Sequence, residues 1–269
     1  MKILFDGSVY EEENRLVGID DRGLQYGDGL FETMYWNGEA VRNLDLHLKR
    51  LKKGTEILGL EVNEVLEPGA QEKKITSLIE ENKLSGKLRI KWMIWRRPGG
   101  LYLPQTESFH ELIKVMPYSP GPAMVRSADF ADSIHLSYSQ ISPLKTISAL
   151  PYVMAARECR ERGLDDLILL SDRGKVAECL YANLFWGSGK ELYTPSLQTG
   201  CIEGVRRKEL MNILPDLGYS IEEAESHPEK LLMASYAFRT NANAIVPIHR
   251  IADRIYASVP QDILFVDRD

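Results

Sequence analysis

An amine, an acid and an anion-binding turn stand out in this sequence because their neighbours suit chemistry. Lys145 follows Leu144 and precedes Ile147, Ala149 and Leu150. An amine desolvated by such neighbours is partly neutral and can act as a nucleophile or a base. A surface lysine ahead of a helix has the same local sequence. Glu178 interrupts the apolar run Val176, Ala177, Cys179, Leu180. Burying an unpaired acid is costly, so Glu178 either meets a partner or faces outward from a strand edge. Gly204, Val205 and Arg206 open a helix. The first backbone N–H groups of a helix have no partner within it, and they and the helix dipole attract an anion such as a phosphate. Arg50 stands on a basic face with Lys49, Lys52 and Lys53, the ordinary setting of a solvated arginine. Asn241 reads by itself as an amide at a turn or strand edge.

Other motifs fail. Gly189-Lys190 lacks the earlier glycine and the following Ser/Thr of a phosphate loop, since Leu184 and Glu191 occupy those positions. His110-Glu111 lacks a second histidine four residues on, where Lys114 stands, so no zinc helix forms and no metal is expected. Gly27-Asp28-Gly29 meets Glu32 where a dinucleotide fingerprint needs glycine. No G-x-S-x-G elbow is present.

Composition sets the outer limits. Lys+Arg 33 against Asp+Glu 39 gives a charge of -6, which argues against nucleic acid or an anionic membrane as partner. No apolar run nears the ~20 residues of a membrane helix. The acidic N-terminal stretch does not read as a signal peptide. Cys159, Cys179 and Cys201 have no C-x-x-C spacing and read as reduced thiols, so the expected location is cytoplasmic.

These residues need elements to hold them. Leu30–Trp36 reads as a strand, and Leu44, Leu48, Leu51 and Leu58 as a helix ending near Gly59. A helix follows over 69–83. Leu88, Ile90, Trp92 and Ile94 alternate with polar or exposed-type residues as a strand that stops at Arg97-Pro-Gly-Gly100. A strand over 111–116 precedes Pro117-Tyr-Ser-Pro-Gly-Pro122, which resists helix and central strand alike. The expected organisation is therefore an N-terminal α/β domain over 1–117, a linker over 118–122 and a second domain over 123–269. In the second domain strands are expected at 123–127, 166–171, 176–186, 191–193 and 236–248. Helices are expected over 148–162, after Gly204, and from His227-Pro228. The fold class is mixed α/β, with too many consecutive strands for βαβ repetition.

Four ordered pieces together resemble one family. They are Asp21-Arg-Gly-Leu-Gln-Tyr-Gly-Asp-Gly-Leu-Phe-Glu-Thr33 with Leu46-His-Leu-Lys-Arg-Leu51; Leu144-Lys-Thr146; Val176-Ala-Glu-Cys-Leu-Tyr-Ala-Asn-Leu-Phe-Trp186; and Gly200-Cys-Ile-Glu-Gly-Val-Arg206 with Thr240-Asn-Ala242. The set is similar to the fold type IV (class IV aminotransferase) pyridoxal-phosphate enzymes: branched-chain and D-amino-acid aminotransferases and 4-amino-4-deoxychorismate lyase. The resemblance implies a small N-terminal α/β domain, a larger C-terminal pseudo-barrel domain and a homodimer using pyridoxal 5′-phosphate (PLP) on a small amino substrate. It implies that Lys145 forms the Schiff base and acts as base, and that Glu178 holds the ring nitrogen protonated. Arg50, Val205 and Arg206 would meet the phosphate, the last two through backbone, with Asn241 near the phosphate or substrate. The segment Glu178–Trp186 and Asn241-Ala242 look most like the lyase, which would form 4-aminobenzoate and pyruvate in the folate pathway. An amino-acid aminotransferase is the second reading and a non-catalytic PLP-binding relative the third. Leu101 stands where a lyase loop carries an arginine, which leaves Arg96 or Arg97 as substitutes for a carboxylate clamp. Branched-chain enzymes place a tyrosine five residues after the lysine. Here that position is Leu150, and Tyr152, expected on the helix, receives no role.

Overall fold

Residues 1–61 and 66–266 are described in the structure, a computed structural model. Two units emerge, Met1–Ser119 with Leu144–Ser148, and Pro120–Pro143 with Ala149–Asp269. The short Leu144–Ser148 segment, placed by sequence in the second domain, groups with the first unit for a physical reason. Leu144 is buried in that unit's core. The main chain on either side is tied to a strand there, Phe31 N–H donating to Lys145 O at 2.9 Å and Ile147 N–H to Gly29 O at 3.0 Å.

The first unit contains β1 (Lys2–Phe5), β2 (Ser8–Glu11), α1 (Arg22–Tyr26), β3 (Gly29–Trp36), α2 (Leu44–Leu58), α3 (Pro68–Glu81), β4 (Leu88–Arg96) and β5 (Phe109–Pro117). The strands form one antiparallel sheet in the order β2-β1-β5-β4-β3. The period-two pattern explains its covered face: Leu88, Ile90, Trp92 and Ile94 are all buried on β4, against Leu30 and Met34 of β3 and Ile113 and Val115 of β5. Leu44, Leu48 and Leu51 of α2 and Ile75, Leu78 and Ile79 of α3 close that core at helical spacing. Gly59 ends α2 in the left-handed conformation. Helix α1 was not expected. At five residues it is too short to show a period, and its signal was the cap, Asp21, whose carboxylate accepts from Leu24 N–H at 3.2 Å.

The second unit contains β6 (Ala128–Leu136), α4 (Leu150–Glu161), β7 (Asp166–Ser171), β8 (Val176–Cys179), β9 (Asn183–Ser188), β10 (Glu191–Pro195), α5 (Val205–Ile213), β11 (Ser220–Ala224), α6 (Pro228–Met233), β12 (Tyr236–Thr240), β13 (Ile245–Ile248), β14 (Arg250–Ile251), β15 (Arg254–Ile255) and α7 (Gln261–Phe265). They build two five-stranded sheets, β15-β14-β6-β7-β8 and β11-β10-β9-β12-β13.

Three strand expectations are corrected here. The segment 123–127 forms only a single bridge, Val125 to Ile248, and the strand begins at Ala128. That strand escapes a period-two reading because its register shifts between Phe130 and His135, where the Glu158 carboxylate accepts from the N–H groups of Asp132 and Ser133. The run 176–186 is two strands. Cys179 N–H bonds Ala182 O at 2.8 Å and turns the chain at Leu180–Ala182. The run 236–248 is a hairpin, β12 against β13, whose turn is closed by Asn241 Oδ1 accepting from Asn243 N–H at 3.0 Å. Neither turn contains glycine or proline, so an asparagine side chain carried the only turn signal in the second.

Candidate active site

In the first unit Lys145 is half-buried and its Nζ lies 4.5 Å from the centre of the Phe31 ring. Its backbone is fixed from both sides, through Lys145 O and the Leu30–Thr146 bridge. Lys91 of β4 approaches the same ring, at 5.4 Å. Burial lowers the Lys91 amine below its ordinary pKa, and the neighbouring charges of Arg89 and Lys114 add to that. Both amines thus meet an aromatic wall that can stabilise a cation or shelter a neutral amine.

Arg50 sits one turn after His47 on α2, and both reach Glu32 on the covered side of β3. Arg50 Nε donates to Glu32 Oε1 at 2.8 Å, its Nη2 bonds Oε2, and His47 Nδ1 lies 2.6 Å from Oε2. Glu32 and His47 are each 1% exposed. Burial alone would push the Glu32 carboxyl up, but Arg50 and then His47 overcome that and hold it at about 2. The arginine is therefore a guanidinium fixed by a buried carboxylate, not a solvated charge. Glu32 had a sequence signal: it occupies the inward phase of β3, between Leu30 and Met34.

The loop after β4 uses its arginines structurally. Arg96 is 4% exposed, with Nε on Asp28 Oδ2 at 3.0 Å and Nη1 on Gly59 O and Thr106 O, both at 3.0 Å. Arg22 also bonds Asp28, at 2.9 Å, and donates to the carbonyls of Gly99, Gly100 and Leu101. Arg97 pairs with Asp6 at 2.7 Å. Arg96 is thereby spent on the fold, and Leu101, Tyr102 and Leu103 stand exposed at the loop tip.

In the second unit Glu178 is 3% exposed at the end of β8. Its Oε1 accepts from the Tyr152 hydroxyl at 2.5 Å, and its Oε2 from Ile202 N–H at 3.2 Å and Asn183 Nδ2 at 3.4 Å. Asn183 Nδ2 also donates to Ile202 O at 2.7 Å. Each of these groups donates, and donors to a carboxylate favour its ionised form. Burial and then the Glu178 charge drive the Tyr152 phenol far above its ordinary range, so it stays a donor. Behind Glu178, the buried Asp166 accepts from Leu180 N–H at 3.1 Å and pairs with Arg239. That contact anchors the turn joining β8 to β9.

Gly204 caps α5 without a side-chain bond, leaving the first-turn N–H groups of Val205 and Arg206 to their surroundings. The Arg206 side chain is turned to Glu209 and to Val266 O, so what it offers at the helix start is its backbone. Gly204 leaves no room for a side chain, because an added Cβ would stand 1.8 Å from Asn183 Oδ1. Gly204→Ala should therefore displace Asn183 and destabilise the second unit by roughly 1–3 kcal/mol. An unchanged denaturation midpoint would refute the crowding. Asn241 serves its turn through Oδ1, and its Nδ2 donates to Tyr181 O at 3.4 Å. Sequence reasoning assigned no role to Tyr152, Asn183, Asp166, Glu32 or His47.

With this geometry in view, relatives can be compared. The family model for amino-transferase class IV matches residues 29–251. This chain belongs to the class IV aminotransferase family. It is 28% identical to the aminodeoxychorismate lyase of Bacillus subtilis over 262 residues, covering 95% of this chain and 88% of that one. It is 26% identical to the D-alanine aminotransferase of Bacillus licheniformis, covering 93% and 88%. The branched-chain aminotransferase of Thermoproteus uzoniensis, solved with norvaline, superposes with a TM-score of 0.88 at 30% identity, covering 100% of this chain and 93% of that one. The expected fold type IV architecture is thus the observed one. The family's cofactor is PLP. Residues of each unit suit it separately: in the first, an amine beside an aromatic wall; in the second, a buried carboxylate that accepts hydrogen bonds and a side-chain-free helix start suited to a phosphate.

Proposed function

We propose that this class IV enzyme is an aminodeoxychorismate lyase, releasing pyruvate and forming 4-aminobenzoate. The observation that carries the cofactor chemistry is the buried Glu178, which accepts from Tyr152, Asn183 and Ile202 N–H. When bound, PLP supplies an electron sink for the carbanion next to the substrate amine. Lys145 Nζ would hold the cofactor and move the substrate α-proton, with Phe31 keeping water from one side of the amine. Glu178 would keep a proton on the ring nitrogen. The backbone N–H groups of Val205 and Arg206 would receive the phosphate, and Arg50, oriented by Glu32, would add charge. Asn241 would act through the turn it closes. Lys91, on the Phe31 ring, is a cation suited to a substrate carboxylate now that Arg96 is committed elsewhere.

What supports the lyase over its relatives is the run Glu178-Cys-Leu-Tyr-Ala-Asn-Leu-Phe-Trp186 with Asn241-Ala242, together with the likeness to the Bacillus subtilis lyase. The second reading, an amino-acid aminotransferase, draws on the 30% identity to the Thermoproteus enzyme. One assay separates them. The lyase should release pyruvate from aminodeoxychorismate with no keto acid present, whereas turnover that strictly requires 2-oxoglutarate would establish the aminotransferase. We also propose that the chain works as a homodimer with domains divided near 118–122.

A further inference from the structure

We propose that Tyr152 is a positioning residue of this site: its hydroxyl holds the Glu178 carboxylate in the orientation and the charged form that serve the cofactor's ring nitrogen. The proposal rests on the reading of Glu178 given above and assigns a role to a residue outside it.

Donors to Glu178 come from α4 through Tyr152, from β9 through Asn183, and from the stretch before α5 through Ile202 N–H. Their distances rank them. The two nitrogen donors stand at 3.4 and 3.2 Å, long for such bonds, while the phenol stands at 2.5 Å. That is the short range expected for a hydroxyl on an ionised oxygen, where hydrogen bonds are strongest. Tyr152 also serves Oε1, whereas the nitrogen donors both serve Oε2, so it fixes the rotation of the carboxylate about its last bond. Its own placement is firm. It lies in the first turn of α4 directly after Pro151, whose ring presets the backbone at a helix start.

Two thiols and a second acid lie near Glu178 in this unit. Cys201, beside the Ile202 donor, has its thiol pushed up to about 12, by burial first and the Glu178 charge second. Cys179, adjacent on β8, is raised well above its ordinary value, again chiefly by burial. Asp166 accepts from Leu180 N–H and pairs with Arg239, so it acts on the turn and not on the carboxylate. Both thiols are neutral near pH 7.

Tyr152→Phe removes only the hydroxyl. In the full-length chain stripped of cofactor and carrying 13C-labelled glutamate, the Glu178 resonance is assigned by its loss in Glu178→Gln. Its pH midpoint should rise by about one unit in Tyr152→Phe, because a donor to the charged form is lost. Reconstituted with PLP, the same variant should bind cofactor about tenfold more weakly. A purely structural tyrosine would lower the melting temperature and leave the midpoint where it was. The proposal is overturned by an unmoved midpoint, or by a moved midpoint with unchanged PLP affinity. Failure of the underlying reading shows elsewhere, as a wild-type protein that binds no PLP. The cofactor-free midpoint still reports the Tyr152 contact in that case.

Discussion

Lys145→Ala should yield a protein that takes up PLP without the visible absorption band of the covalent linkage, and whose turnover falls by at least about a thousandfold. The large effect follows from one amine having two duties, tethering the cofactor and moving the α-proton. Lys91, a second amine beside Phe31, is less well placed for both. Lys91 meets the same Phe31 ring but at 5.4 Å, against 4.5 Å for Lys145. Its backbone lies within β4, whereas that of Lys145 is pinned in a loop against β3. Absorbance before and after borohydride reduction, followed by mass mapping, is the direct check. A reduced adduct on Lys91, or an identical band in Lys145→Ala, would reassign the lysine. Ala is well accommodated at a half-buried loop position, so the melting temperature of the cofactor-free variant should stay close to that of the parent.

The second large effect is on stability. Glu32→Gln leaves the Arg50 charge facing a neutral amide inside the first unit, and removing one partner of a buried pair costs about 3–5 kcal/mol. The melting temperature of that unit should drop by roughly 10 °C. The pH dependence gives a sharper test. The folded Glu32 carboxyl is held at about 2, below its ordinary 4.5. A depressed carboxyl stabilises the fold fully above the unfolded value and loses that contribution as the pH falls from about 4.5 toward 2. The gap is worth about 3 kcal/mol. The difference in stability between parent and Glu32→Gln should therefore be widest at neutral pH and narrow steadily below about pH 4.5. A difference that stays constant from pH 7 to pH 3 would show that Glu32 gains nothing from its charge.

Much of this is legible in the sequence. The strand over β4 and the helix α2 show clean periods because each buries one face against a single core, so Leu88, Ile90, Trp92 and Ile94, and Leu44, Leu48 and Leu51, repeat at the spacing their geometry demands. The strands of the second unit were harder. Where a strand is buried on both sides, as over Val176–Cys179, it presents no alternation. A turn made without glycine or proline then passes unnoticed, which is why 176–186 and 236–248 looked continuous. The site divided along the same line. Glu178 and the Gly204 helix start are visible as residue types out of keeping with their surroundings, whereas Lys145 and Arg50 look ordinary in theirs and stand out only through the family resemblance. Tyr152, Asn183 and Asp166 are visible in neither way, since a tyrosine on a helix or an aspartate opening a strand is ordinary until its partner is known. Glu32 lies between the two groups: its inward phase was readable, but its pairing with His47 and Arg50 needed the register between β3 and α2.

The brace formed by Arg22, Asp28 and Arg96 has one more consequence. It grips the loop after β4 by main-chain oxygens, those of Gly99, Gly100, Leu101 and Thr106, and by no side chain of the loop. Such a clamp is blind to what the three outermost positions display. Leu101 and Leu103 can accordingly be exchanged by mutation while the scaffold beneath keeps its shape, with Tyr102 the position whose ring also meets Tyr26, giving descendants of this protein a place to vary recognition without renegotiating the architecture.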